Sequence, residues 1–137
     1  MSPKTYRKII YGGAHISLFI IFFWFGAIKL LGMSPANELV AALQSITLPW
    51  WPFDSFIIFL GLWEMSIGLL MLFKKTERVG LILLLFHMCT TFLPLFLLPA
   101  ITWQAILVPT LEGQYIIKNL IIVALSSSIV YAERKIR

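Results

Sequence analysis

Six ionisable residues lie within stretches of the chain that are otherwise almost wholly apolar. They are His15, Lys29, Asp54, Glu64, His87 and Lys118. An ionisable side chain inside a membrane span costs free energy, so each is a candidate for function. A carboxylate beside an imidazole can transfer protons, and two lysines at one depth can attract an anion. The residue types therefore indicate proton transfer or anion binding within a bilayer, provided that helices bring these groups together.

Depth along the predicted helices sorts the six residues into two groups, at about 1.5 Å rise per residue. An outer cluster, within about two turns of one end, is predicted to contain Lys29, Asp54 and Lys118. An inner cluster, roughly 9–15 Å from the opposite end, is predicted to contain His15, Glu64 and His87. We expect the inner cluster to carry catalysis and the outer cluster to contribute to ligand binding.

Each candidate also has a structural interpretation. The two lysines can snorkel to the headgroups, and Asp54 can sit at the positive start of a helix. The two histidines can hydrogen-bond between helices. Glu64 is the hardest to explain in this way, because its short side chain cannot reach water from the middle of a span.

The amino-acid composition indicates that these residues belong to a membrane protein. The chain has 137 residues, of which 60% are hydrophobic and 12% charged, against about 45–50% and 25% in soluble domains. A soluble domain of this size could not bury so much apolar surface. The single Cys89 excludes an internal disulfide and a paired-cysteine metal site. The basic residues form three short clusters rather than a continuous face, so no nucleic-acid partner is expected.

Four apolar stretches are long enough to cross a bilayer, at about residues 9–32, 53–73, 79–98 and 114–133. Backbone groups in lipid must be satisfied locally, so these are predicted to be helices. We predict an all-α fold, with residues 1–137 forming one integral membrane domain, a four-helix bundle. Ser34 and Pro35 are typical of a helix start, so a short interfacial helix is expected over residues 35–47.

Charge predicts the orientation of the bundle. Nine of the eleven Lys and Arg residues fall on one side of a four-span model, before the first span, between the second and third, and after the fourth. The loops at 33–52 and 99–113 contain neither residue type. The positive-inside rule therefore places both termini in the cytoplasm.

Four short motifs resemble those of a known family. They are WFGAIKL at residues 24–30, GLWEMSIG at 61–68, TTF at 90–92 and GQYIIKN at 113–119. In this order, on successive helices, they resemble the DoxX-like superfamily of four-helix membrane proteins, most closely the branch that includes the reactive-chlorine-resistance inner-membrane protein. The resemblance implies a bacterial inner-membrane protein, and a membrane subunit or accessory partner of a redox or stress-defence enzyme.

The favoured hypothesis is therefore a redox-associated membrane subunit that binds a quinone and is not catalytic alone. Glu64 would relay protons, and His87 or His15 would donate to a quinone carbonyl. The remaining predicted ligand-binding residues are Lys29, Lys118, Asp54, Asn119, Trp24, Trp63 and Thr91. The electrons would come from a partner redox protein, because the chain has no flavin, nicotinamide or iron–sulfur motif.

Three alternatives stay open at this stage. One is transport or sensing of a small anion held by Lys29 and Lys118, which in so small a chain would need a homo-oligomer. Another is a scaffold or assembly factor whose polar residues only lock the bundle. The least favoured is a haem b held between His15 and His87.

Overall fold

The computed structural model describes the backbone of residues 2–136 and the side chains of residues 2 and 4–132. The helices are α1 Pro3–Leu30, α2 Asn37–Thr47, α3 Phe53–Met71, α4 Glu77–Phe92, α5 Pro94–Leu97, α6 Pro99–Thr102, α7 Leu111–Lys118 and α8 Leu120–Ile136. A two-stranded antiparallel hairpin, β1 Trp103–Ala105 and β2 Val108–Pro109, lies between α6 and α7.

Four helical stretches are long and apolar enough to cross a membrane. They are Lys4–Leu30, Phe53–Met71, Glu77–Leu97 and Leu111–Ala132. The predicted helical architecture with four candidate spans is thereby confirmed. The first helix begins earlier than predicted, because Ser2 caps it by accepting the Thr5 amide and the helix continues through the basic residues that follow.

The predicted third and fourth spans are each interrupted once. Pro94 has no amide hydrogen, so α4 ends at Phe92 and α5 begins at Pro94. Asn119 separates α7 from α8. Local hydrogen bonding, rather than hydropathy, sets both boundaries.

The two longer loops differ from expectation in detail. The interfacial helix begins at Asn37 rather than at residue 35. The reason is that the Ser34 hydroxyl accepts the Ala36 amide at 3.3 Å, in a turn that precedes the helix. The hairpin in the second loop was not predicted; Leu107, at φ 59°, makes its turn.

Glycines allow α1 and α3 to approach closely and antiparallel. A Cβ atom added to Gly26 would lie 2.5 Å from the Gly61 carbonyl oxygen, and one added to Gly68 would lie 2.9 Å from the Phe23 nitrogen. Small residues at such crossings are typical of membrane helices. The first span therefore packs mainly on the second, and it contacts α8 more lightly.

The bundle has two ends, which we call the terminal face and the loop face. The terminal face carries the N-terminal residues 2–8 and the turn at 72–76, and the loop face carries α2 and the hairpin. Apolar side chains fill the middle, and Leu18, Ile67 and Leu84 are completely buried.

Candidate functional site

Two buried clusters of polar side chains join the helices. The first, the lysine triad, consists of Lys29, Glu64 and His87. The second, the tyrosine triad, consists of Tyr11, His15 and Glu77. Leu18, Ile67 and Leu84 form an apolar layer between the triads.

The lysine triad ties three helices together through one carboxylate. Nζ of Lys29 on α1 donates to Oε2 of Glu64 on α3 at 2.7 Å. Nε2 of His87 on α4 lies 3.1 Å from Oε1 of the same carboxylate. The three side chains are only 7–8% exposed. Each carboxylate oxygen therefore has its own partner, from a different helix.

Side-chain direction explains why Lys29 reaches Glu64 despite its position near the end of α1. In an α-helix the Cα–Cβ bonds tilt toward the N-terminus. Because α1 and α3 are antiparallel, Lys29 extends toward the terminal face while Glu64 extends toward the loop face, and the two heads meet between them. Lys29 therefore does not snorkel out of the bundle.

The predicted outer cluster is wrong in this structure. Asp54 is exposed in the first turn of α3, as its structural interpretation expected. Lys118 is also exposed, with Nζ 5.1 Å from the centroid of the Tyr115 ring. Nζ of Lys29 donates to Glu64 and not to Asp54, so Lys29, Asp54 and Lys118 do not form a cluster in the structure.

The predicted inner cluster is also regrouped, because His15 belongs to the tyrosine triad. Nε2 of His15 lies 2.8 Å from Oε2 of Glu77, and the Tyr11 hydroxyl donates to the same oxygen at 2.5 Å. Nδ1 of His15 lies 2.8 Å from the Tyr11 carbonyl oxygen. Since a carbonyl only accepts, Nδ1 carries a proton there. Nε2 and Glu77 then share a second proton. The contact is an ion pair when this proton is on Nε2 and a neutral hydrogen bond when it is on the carboxyl group.

Sequence reasoning missed Glu77, because the predicted second span ends at residue 73 and the predicted third span begins at residue 79. Glu77 is 1% exposed, the most deeply buried acid among the side chains described. A signal was present, because Glu77, Gly80, Leu84 and His87 recur at the spacing of one helix face. Extending the third span backwards by two residues would have placed this acid on the interior stripe.

The lysine triad has an aromatic wall on its α3–α4 side. The Trp63 ring stacks on Phe86 with centroids 5.6 Å apart, and it lies 5.7 Å from the His87 ring. Phe22 meets the His87 ring edge-on at 5.8 Å. Phe86 is 63% exposed, on a surface that faces lipid if the helices span a bilayer.

Two polar atoms beside this wall are buried without a hydrogen-bond partner within the described part of the chain. They are Nδ1 of His87 and Nε1 of Trp63. Because a carboxylate accepts, Nε2 of His87 donates to Glu64, and a neutral imidazole then presents Nδ1 as an acceptor. The indole nitrogen can only donate. An open acceptor and an open donor thus belong to two rings in contact.

The other predicted ligand-binding residues are more scattered. The hydroxyls of Thr90 and Thr91 donate to the His87 carbonyl oxygen at 2.7 and 3.0 Å, so Thr91 can act on the site only through the α4 backbone. Asn119 lies half-buried at the break before α8. Trp24 is 63% exposed on the outer surface of α1 and does not line the triad.

The arrangement also bears on haem b. Both ring nitrogens of His15 are engaged, one with Glu77 and one with a backbone carbonyl. An axial bond to iron would require His15 to give up one of these contacts.

Comparison with known proteins found no matching family model, no similar curated protein and no similar solved structure. The resemblance to the DoxX-like superfamily therefore rests on the four sequence motifs alone. Function has to be argued from the geometry of the site.

Proposed function

We propose that this chain is a DoxX-like membrane protein that binds a quinone at the lysine triad and exchanges electrons through a partner redox enzyme. The observation that carries the proposal is the open acceptor of His87 on a ring that contacts Trp63 with its open donor, while the other nitrogen of His87 bonds the buried Glu64 carboxylate. Apolar and aromatic walls with a few convergent polar groups are typical of small-molecule sites.

The chemistry of a quinone matches these groups. A quinone carbonyl accepts a hydrogen bond, which Nε1 of Trp63 can donate. A quinol hydroxyl donates, and Nδ1 of His87 can accept its proton. Oxidation of a quinol releases two electrons and two protons. The partner enzyme takes up the electrons. The two protons leave one after the other: Nδ1 of His87 accepts each from a quinol hydroxyl, and the ring passes its Nε2 proton to the Glu64 carboxylate, which releases it before the next transfer.

Lys29 has a defined part in this scheme. When Glu64 gives up its proton, the resulting carboxylate is buried and needs an opposite charge. The ammonium group at 2.7 Å supplies it. The triad is therefore charge-balanced when Glu64 is ionised, which is the state in which Glu64 can accept a proton.

The route of access follows from the position of Phe86. It is exposed on the outside of α4 and covers Trp63 by stacking. Rotation of Phe86 would open the site sideways, toward the bilayer in which quinones dissolve. We place the chain in a bacterial inner membrane, with the basic terminal face in the cytoplasm.

A second candidate function is that of a membrane scaffold or assembly factor. Its support is that the lysine triad ties α1, α3 and α4 together, which a purely structural role would also require. The anion-binding alternative loses its basis, because Lys29 is paired with Glu64 and Lys118 lies exposed.

The test measures quinone extracted from the purified protein, per mole of folded chain. Trp63→Phe removes the indole donor and keeps an aromatic ring, and we expect the bound quinone to fall roughly fivefold to tenfold, the effect of one hydrogen bond. Trp24→Phe is the matched control on the exposed surface of α1, and it should retain the wild-type amount. Equal amounts in the two variants, or no quinone in the wild type, would contradict the proposal.

A further inference from the structure

A cleft separates α1 from α8 near the terminal face, away from the lysine triad. Its volume is about 350 Å³, within the size range of small-ligand sites. Residues of α1 from Tyr6 to Ala14 form one wall, and residues of α8 from Leu125 to Ala132 form the other. The span that contains α8 is the least buried of the four, at 17% against 28–33%. The cleft therefore lies where the bundle is most loosely closed.

The lining changes from polar to apolar along the membrane normal. Arg7 lies at the end near the terminal face, while Ala14 on α1 and Leu125 on α8 lie at the deeper end. Ala14 follows Arg7 by seven positions of helix, a rise of about 10 Å. A molecule that fits this gradient has a charged head at one end and a hydrocarbon chain at the other.

The charge around the polar end is positive. Lys4, Arg7 and Lys8 follow one another in the first turns of α1. Nζ of Lys74, from the turn after α3, lies 6.0 Å from the centroid of the Tyr11 ring, which lines the cleft. Among the side chains that the structure describes, the acid near this end is Glu77, which is buried and already engaged by His15 and Tyr11. An anionic head group would therefore meet cations at this end.

We infer that the α1–α8 cleft binds an anionic phospholipid. The phosphate lies beside Arg7, and one acyl chain lies between α1 and α8, against Ile10, Ala14 and Leu125. Basic pockets between membrane helices on the cytoplasmic side are suited to such head groups. The bound lipid fills the gap beside α8 and strengthens its attachment to α1. This site is independent of the quinone site.

The experiment measures lipid binding to the purified full chain in detergent, by native mass spectrometry and by thermal unfolding. The probes are phosphatidylglycerol, phosphatidylcholine with the same acyl chains, and inorganic phosphate. We expect phosphatidylglycerol to bind at least several-fold more tightly than phosphatidylcholine and to raise the unfolding temperature. Inorganic phosphate alone should do neither.

Two pairs of variants locate the site. Arg7→Gln should weaken phosphatidylglycerol binding about fivefold, whereas Lys4→Gln, whose side chain does not line the cleft, should change it by less than twofold. Ala132→Phe fills the cleft and should abolish the stabilisation by lipid. Ala124→Phe, at an exposed position of α8 outside the cleft, should preserve it.

Equal affinity for the two lipids would overturn the inference. Equal losses of phosphatidylglycerol affinity in Arg7→Gln and Lys4→Gln would also overturn it, because binding would then depend on the general surface charge and not on the cleft. Stabilisation by inorganic phosphate alone would also overturn it, because the acyl chain would then be irrelevant. If Ala132→Phe fails to fold, the difference in phosphatidylglycerol binding between Arg7→Gln and Lys4→Gln tests the inference by itself.

Discussion

The lysine triad and the tyrosine triad are built from similar groups but differ in how fully those groups are satisfied. In the tyrosine triad both nitrogens of His15 are engaged, and Oε2 of Glu77 receives two side chains. In the lysine triad Nδ1 of His87 has no partner among the described side chains (residues 2 and 4–132) or the backbone around it, and neither has the adjacent indole nitrogen. A saturated cluster holds helices in place. A cluster with an open donor and acceptor retains the capacity to bind a ligand.

The largest expected effect is on stability, from removal of the carboxylate of the tyrosine triad. Glu77→Ala leaves His15 and the Tyr11 hydroxyl buried without their shared acceptor. Breaking a buried pair in this way costs about 3–5 kcal/mol. Unfolding in mild detergent, followed by circular dichroism, measures the loss. Quinone bound per folded molecule should stay unchanged, and a parallel loss of quinone would show that the two triads are not separate in function.

A smaller loss of stability is expected for Lys29→Met. Glu64 loses its ammonium partner but keeps His87 and can take up a proton, so the cost should be about 1–3 kcal/mol. Lys4→Met is the matched control, because Lys4 is exposed at the terminal face. Equal and negligible effects of the two substitutions would mean that the Lys29–Glu64 contact does not stabilise the protein.

The glycine contact between α1 and α3 lies close to the lysine triad. Gly26→Ala places a methyl group 2.5 Å from the Gly61 carbonyl oxygen, so the helices must separate near the lysine triad. We expect a loss of about 1–3 kcal/mol and a lower quinone content. Gly13→Ala, where a Cβ atom meets nothing within 4 Å, should be neutral or slightly stabilising. Comparable destabilisation by both would contradict the close approach.

The sequence was sufficient to predict the helical architecture, the four candidate spans and the burial of Glu64. Hydropathy and the cost of buried charge determine all three. The pairing of the ionisable groups was not predictable from depth, because Cα positions ignore the length and tilt of side chains. Lys29 is the clearest case, since its Cα lies near the loop face and its Nζ does not.

The burial of Glu77 was not predictable for a different reason. Its position between basic residues resembles a solvated turn, and hydropathy alone cannot show that a helix begins there. Only the tertiary contact with His15 and Tyr11, more than sixty positions away in the sequence, explains its burial.

We propose that the lysine triad serves function and that the tyrosine triad serves structure. The most direct test compares Glu64→Gln with Glu77→Gln, since both keep side-chain shape and remove the exchangeable carboxyl proton. Each variant is assayed for thermal stability in detergent and for complementation of a deletion strain at matched levels of folded protein. We predict that both variants are less stable than the wild type, because each loses a buried pair. At matched levels of folded protein, Glu64→Gln should fail to complement and Glu77→Gln should complement. Full complementation by Glu64→Gln, or failure of Glu77→Gln to complement at matched levels, would contradict this division of roles.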